Sequence, residues 1–342
     1  MKLYYQNKPI RIFTINPRDM DEAQYWPRIE TLIHLSGTHD LTGILAFTGN
    51  DVLVDPWLVG QTILAGSRNL SPLIAVNPIY MHPFSAAKMI ASLTHIYGRK
   101  IYLNMVTGTA LNYLRALDAE LSHNERYDRL LEYGTLIRDL LTSAKPVSFE
   151  GRFYQVRHLQ LQPRLKPELV PEFLLAGQSD AARRVTAALG GVGMQMLAPR
   201  LRIDPAVKGI HFGIVCRETE ATAWAAARRL FPESEEDREM LEISMANTDS
   251  VWKKRMKMAA DLGEGAEPGY WLGAFRNFKA DCPYFVGDEP RTAALMADLI
   301  RQGVTHFILD VPPHEEDFEW LSHVLARTKT ELNSKPPSAD SD

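Results

Sequence analysis

Three groups of residues in this 342-residue chain have the types and spacing that ligand chemistry uses. The first is Ala176-Gly177-Gln178-Ser179-Asp180, a small-residue turn in front of a helical segment. Such a turn presents backbone N–H groups at a helix N-terminus, where the helix dipole also favours negative charge, and the Ser179 hydroxyl can donate to a phosphate. Plain helix capping by Ser179 explains the same residues, and Gly-x-Ser is more often only that. The second group is Asn104, Thr107 and Gly108 in LNMVTG, polar residues where an apolar run ends. Ordinary strand-end polarity accounts for them as well as a binding role does. The third is His123 and Tyr127, spaced i, i+4 on the first turns of a helix and so on one face, able to hold one anionic or planar ligand together. Tyr127 taken alone also reads as core.

Other chemistries lack their signatures. The ten histidines are scattered, with no H-x-H and no HExxH, so no metal site is expected. His314-Glu315-Glu316 is dense, but consecutive residues point different ways. There is no GxxxxGK[ST], no GxGxxG after a strand and no GxSxG nucleophile elbow.

The elements that must position these groups show as alternation. Short apolar runs occur at Ile10–Ile15, Leu41–Phe47, Leu73–Val76, Lys100–Val106, Glu172–Ala176, Val192–Leu197, His211–Cys216 and His306–Val311, eight in all. Near-continuous apolar strands suit a sheet buried on both faces. Between them lie segments of helical period. Ser85–Tyr97 carries one apolar stripe and is followed by Gly98, where a left-handed cap belongs. Ser122-His-Asn-Glu125 is a capping box, and Ser179 can cap Asp180–Leu189. Strand–helix units in this order imply parallel pairing with right-handed crossovers, and eight of them predict an α/β fold closed as a (β/α)8 TIM barrel. Val147–Gln162 alternates at period two around Glu150-Gly151, a hairpin signal after the fourth helix of the barrel rhythm. Residues 233–283, after the seventh run, are too long for a plain connection and predict a lid-like insertion, with a candidate helix at Thr248–Leu262 and glycines at 263, 265 and 269. Residues 1–332 are thus expected to form one barrel domain, and the polar tail 333–342 to be disordered.

Composition narrows the function. At about 150 residues per domain the length suggests two, but α/β barrels reach this size as one. With 38 Lys+Arg against 42 Asp+Glu the charge is −4, which argues against nucleic acid as a partner. Two cysteines, Cys216 and Cys282, exclude a disulfide framework. No apolar stretch approaches the ~18 residues of a membrane span, and the start MKLYYQNKPIRIF lacks a signal-peptide pattern, so a cytoplasmic protein is expected.

Six motifs in register then carry a resemblance: Ala86-Ala87 through Gly98-Arg99; Leu103-Asn104-x-Val106-Thr107-Gly108; Glu125-Arg126-Tyr127; Phe149-x-Gly151 with Phe153; Ala176-Gly177-x-Ser179-x-Ala181; and Phe285-Val286-Gly287-Asp288. Over roughly residues 10–325 the chain resembles the flavin-dependent branch of the bacterial luciferase family. Within it, Thr248-Asp249-Ser250-Val251 and Arg255-Met256 make the chain most similar to the two-component alkanesulfonate monooxygenases. The resemblance implies a TIM barrel, a homodimer or homotetramer, and FMN at the C-terminal ends of the strands. It places Asn104 at the flavin ring and His123, Tyr127, Gly177, Gln178 and Ser179 around the ribityl phosphate; Thr107, from the same strand-end group as Asn104, is expected to bind the cofactor with them. It also implies reduced FMN supplied by a separate NAD(P)H-dependent flavin reductase, and O2 used through a C4a-peroxyflavin that a lid shields from water.

The chain departs from the sulfonate pattern around the substrate. An Arg and a His on the seventh strand are matched by His211 and Gly213. A Tyr-Pro-His turn after the eighth reads Pro312-Pro313-His314, and a cysteine after the second strand is replaced within Asn50-Asp51-Val52-Leu53. Arg276 corresponds to the arginine of the lid. A substrate other than a simple alkanesulfonate is therefore expected, with His314 and His211 handling protons near neutrality and Arg276 closing on an anionic group. Two rivals remain: hydride transfer with a deazaflavin, and a catalytically silent flavin-binding barrel.

Overall fold

In parallel strands every second side chain must fill the space inside the ring, while the alternate ones face the helices outside. The computed structural model describes residues 2–18, 21–199, 203–263 and 268–334, and the alternation is plain in it. The eight runs become β1 Arg11–Ile15, β2 Gly43–Ala46, β3 Leu73–Val76, β4 Tyr102–Met105, β5 Glu172–Ala176, β6 Val192–Met196, β7 Gly209–Arg217 and β8 His306–Asp310. Each pairs in parallel with the next, β8 pairs with β1, and the β6–β7 pairing completes a closed ring. The expected barrel is present.

Register stacks the inward residues in layers. Phe13, Ile15, Leu45, Leu73, Ala75, Tyr102, Leu174, Met194 and Ile308 form one buried cluster inside the ring, with Phe13 and Tyr102 edge to face at 5.0 Å. β7 contributes no large apolar side chain to it. Its inward positions, aligned with His306, Ile308 and Asp310 of β8, are Gly209, His211 and Gly213. The missing volume comes from neighbours: a β-carbon at Gly209 would collide with the Met194 sulfur, and one at Gly213 would sit within the Tyr284 ring.

The N-terminal floor of the barrel is polar. Glu172 lies 2.9 Å from Lys100 Nζ and 3.1 Å from His306 Nε2. Hydrogen bonding from His306, helped by Lys100 and working against burial, holds its carboxyl down at about 2 against 4.5. The folded state thus keeps this charge until pH falls through about 2, whereas the unfolded chain protonates near 4.5. The stabilisation is complete above 4.5 and lost between those values. Discounted for a side chain 32% exposed, it is worth ~2 kcal/mol. In urea unfolding, Glu172→Gln is expected to be less stable than wild type by that amount at pH 7, with the gap closing below pH 4. A gap independent of pH would refute the assignment.

The helices are α1 Glu22–Thr38, α2 Pro56–Gly66, α3 Pro83–Tyr97, α4 Leu111–Ala116, α5 His123–Thr142, α6 Asp180–Ala188, α7 Glu220–Leu230, α8 Glu235–Ala246, α9 Val251–Asp261, α10 Gly273–Arg276, α11 Glu289–Arg301 and α12 Glu315–Asn333. Both halves of the Ser122–Glu125 capping box are made at α5, and Ser179 caps α6 by accepting from the Ala182 N–H. The hairpin pairs Val147–Glu150 with Gln155–Leu159. Its turn is tied to α5 by Glu132, which accepts from the N–H groups of Arg152, Phe153 and Tyr154 at 2.8, 2.9 and 3.1 Å.

Residues 233–283 carry α8, α9, α10 and a short strand, Tyr270–Trp271. The acidic run that begins them is the first turn of α8. One parallel strand was not anticipated. Tyr284–Asp288 pairs with Gly213–Arg217, the half of β7 that continues past its pairing with β8. Of the expected tail, Asn333 ends α12 and Ser334 caps it; the remainder, like Gly265, lies outside the described residues. Among the described residues no helix is long and apolar enough to cross a membrane.

Candidate functional site

Chain ends at the C-terminal rim of a barrel strand leave backbone and side chains facing a common mouth. Here the mouth is a cavity of about 620 Å³, within the ~300–1,000 Å³ range of small-molecule and cofactor sites. Asn104, Thr107, His123, Tyr127, Gly177, Gln178, Ser179 and His211 all line it. The three groups singled out from the sequence therefore converge on one space.

Their arrangement follows from two helix starts. α5 and α6 both begin at the cavity, on Ser122 and Ser179. Tyr127 reaches from α5 across the turn before α6, and its hydroxyl donates to the Ala176 carbonyl at 3.2 Å. The hydroxyls of Thr107 and Ser179 also lie within hydrogen-bonding reach of it. Beneath that ring Gly177 has φ of 128°, a conformation that non-glycine residues rarely adopt. A β-carbon there would lie 2.5 Å from Tyr127 Oη and 2.9 Å from the Ala182 β-carbon. The His123 and Tyr127 rings are 5.1 Å apart. Gln178 donates to Gln195 at 3.1 Å and accepts from Arg255 at 3.3 Å, which fixes the next residue of the turn. Asn104, inward on β4 and half-buried, makes no side-chain hydrogen bond to another described residue.

The match to a family model decides the family. The model for luciferase-like monooxygenases fits residues 38–306. The chain belongs to the luciferase-like monooxygenase family. A relative from Niallia circulans, 4-(gamma-L-glutamylamino)butanoyl-[BtrI acyl-carrier protein] monooxygenase, is 30% identical over 304 residues, spanning 86% of this chain and 89% of the relative. Among solved structures, EDTA monooxygenase from Chelativorans sp. BNC1 superposes with a TM-score of 0.72 at 14% identity, covering 94% of this chain and 93% of that one. The oxygenating constituent of 3,6-diketocamphane monooxygenase from Pseudomonas putida, solved with FMN, gives 0.65 at 12% identity, covering 96% and 99%. At such identities these two likenesses speak for the fold.

Within this luciferase-like monooxygenase the residues expected to handle substrate are less well gathered. His211 lines the cavity, but burial, with Arg18 adding repulsion, pushes its pKa down to about 3. It stays neutral across the physiological range, not poised near neutrality as its residue type suggests. Its Nε2 is buried and has no hydrogen-bond partner among the described residues. His314 and Arg276 are not among the cavity's lining residues. His314 is exposed and N-caps α12 through its backbone alone. Arg276 leaves the short α10 toward solvent and pairs with Glu233 at 2.8 Å.

Of the charged wall residues, Asp249 and Arg255 entered the sequence reading only as motif residues, and Arg18, Lys253 and Asp281 escaped it. Arg18 follows Asn16-Pro17 just past the end of β1, a position that the barrel rule alone makes a candidate. Nothing in the sequence places Lys253 or Asp281 there, because only the folded insertion brings them to the mouth. Trp252 of α9 adds a large apolar surface to the same wall.

Proposed function

We propose that this protein binds reduced FMN in the barrel mouth and uses O2 to oxidise an organic substrate other than a simple alkanesulfonate. The reduced flavin would be delivered by a separate NAD(P)H-dependent reductase. One observation carries the reading: the Gly177 turn, covered by Tyr127, where the N-termini of α5 and α6 meet in the cavity. First-turn N–H groups and the Ser179 hydroxyl suit a phosphate, the absence of a β-carbon at Gly177 lets the Tyr127 hydroxyl close on the turn, and the Asn104 amide suits the polar edge of a planar ring. These residues fit FMN.

When bound, reduced flavin supplies the electrons with which one atom of O2 is put into the substrate. The chain does the rest by placement. Ser179, Tyr127 and His123 hold the phosphate end, Gln178 is braced by Gln195 and Arg255, and Asn104 orients the ring. Val251 and Trp252 of α9 wall the cavity from solvent, which favours the chemistry over leakage to water. His211, neutral and unpaired at Nε2, offers a hydrogen bond rather than a proton reservoir. The positions with which the sulfonate enzymes hold their substrate are not available here, because Arg276 pairs with Glu233 near solvent and the Gly213 position is filled by Tyr284.

Acyl-carrier-protein thioesters are the first substrates to try, since the Niallia circulans relative is named for one. With FMN, a flavin reductase and NADH, oxygen-18 from labelled O2 is expected in the product of a turned-over thioester. If reduced deazaflavin binds and reduced FMN does not, the protein is a hydride-transfer enzyme instead. FMN binding without oxidation of any substrate would point to the silent barrel.

A further inference from the structure

In an eight-membered ring, β4 and β5 lie four strands away from β8 and β1. The Asn104–Ser179 side of the mouth therefore faces a wall built from the end of β1, the inward face of β7 and the insertion. Arg18 stands on that wall over the Phe47 ring, with its NH1 2.7 Å from Asp281 Oδ2, and Lys253 Nζ reaches Asp281 Oδ1 at 3.1 Å. Two cations thus share one carboxylate on the cavity surface. Burial disfavours the Asp281 charge, and Arg18 and Lys253 more than offset this, holding its pKa at about 2. The next carboxyl, Asp310, does not line the cavity. It is bonded to the Tyr284 hydroxyl and the Cys282 thiol, and burial raises its pKa against the opposing pull of Arg18. The Nε2 of His211, buried beside the cluster, has no partner. Leu45, Ala75, Met105, Met194 and Ile308 add apolar surface to the same cavity.

A partly desolvated cation pair that shares one carboxylate on the cavity surface can take a further anion there, and arginine presents a fork that matches a carboxylate. We infer that the Arg18–Lys253–Asp281 wall receives a carboxylate at the end of an otherwise apolar substrate. This specificity site rests on the reading of the cavity as the substrate site, and it assigns the substrate class that the reading leaves open.

Calorimetric titration with hexanoate and with hexanamide, its neutral counterpart, tests it on wild type, Arg18→Gln and Arg18→Lys. Wild type is expected to bind hexanoate at least ~10-fold more tightly than hexanamide, the effect of one charge-assisted contact. The preference is expected to fall to within about twofold in Arg18→Gln and to survive in Arg18→Lys. Equal binding in wild type, no hexanoate binding at all, or an undiminished preference in Arg18→Gln would overturn the proposal. A lowered melting temperature in Arg18→Gln with the preference intact would mean that the cluster only latches the insertion to the barrel. FMN titration of the same proteins keeps the two readings apart. A wild type that binds no FMN sinks the flavin reading while leaving the carboxylate preference measurable.

Discussion

Gly177→Ala is expected to reduce FMN affinity by at least ~100-fold while leaving a folded barrel. Two costs add. At φ of 128° a non-glycine residue stores ~1–3 kcal/mol of backbone strain. The new β-carbon would also lie 2.5 Å from Tyr127 Oη and 2.9 Å from the Ala182 β-carbon, so either the tyrosine swings off the turn or the turn moves away from α6. Both outcomes dismantle the phosphate cradle, and each 1.4 kcal/mol of lost complementarity is about tenfold in affinity. Tyr127→Phe, which keeps the ring and removes the hydroxyl bonded to Ala176, is expected to lose only ~10-fold. Fluorescence titration of FMN, with circular dichroism to confirm the fold, reads both. An alanine variant that binds FMN like wild type would show that the cofactor does not approach this turn.

Gly213→His, which restores the residue type that the sulfonate enzymes carry on their seventh strand, is expected to destabilise the protein by ~4 kcal/mol or more. Overpacking usually costs about 1–3 kcal/mol, but here the new side chain must occupy the volume of an existing ring. Tyr284 is 1% exposed. It packs 4.7 Å from the Phe231 ring and 6.5 Å from Trp271, and its hydroxyl is bonded to Asp310, so it has nowhere to go. Against a total stability of ~5–15 kcal/mol, such a loss leaves little soluble protein. Gly213→Ala is the milder form, expected at ~2 kcal/mol in urea unfolding. Adding Tyr284→Ala to Gly213→His should recover at least half of the loss, because it vacates the contested space. A Gly213→His single variant as stable as wild type would mean that β7 and Tyr284–Asp288 are not held as described.

How much of this was legible in the chain depends on how local each signal is. The eight strands announce themselves because a strand buried on both faces must be apolar along its whole length. Ser122, Tyr127, Gly177 and Ser179 could be found because caps and small-residue turns are written within five residues of sequence. Lys253 and Asp281 could not, since their meeting with Arg18 depends on how the insertion after β7 packs against the mouth. Tyr284–Asp288 was overlooked for a related reason: the length of β7, nine residues, reveals that it outlasts the ring only once its neighbours are known. Residue type without direction is also why Arg276 and His314 were expected at a cavity whose lining does not include them. It also gave His211 an ordinary titration, where burial beside Arg18 keeps the ring neutral.

The proposed FMN site requires that the Gly177 turn in the mouth of the barrel seat the phosphate. Titrating the wild-type protein in parallel with FMN and riboflavin, which differ only in the phosphate, tests that claim most directly. A gain of several charge-assisted hydrogen bonds predicts FMN binding at least ~100-fold tighter than riboflavin. Equal affinities would contradict it.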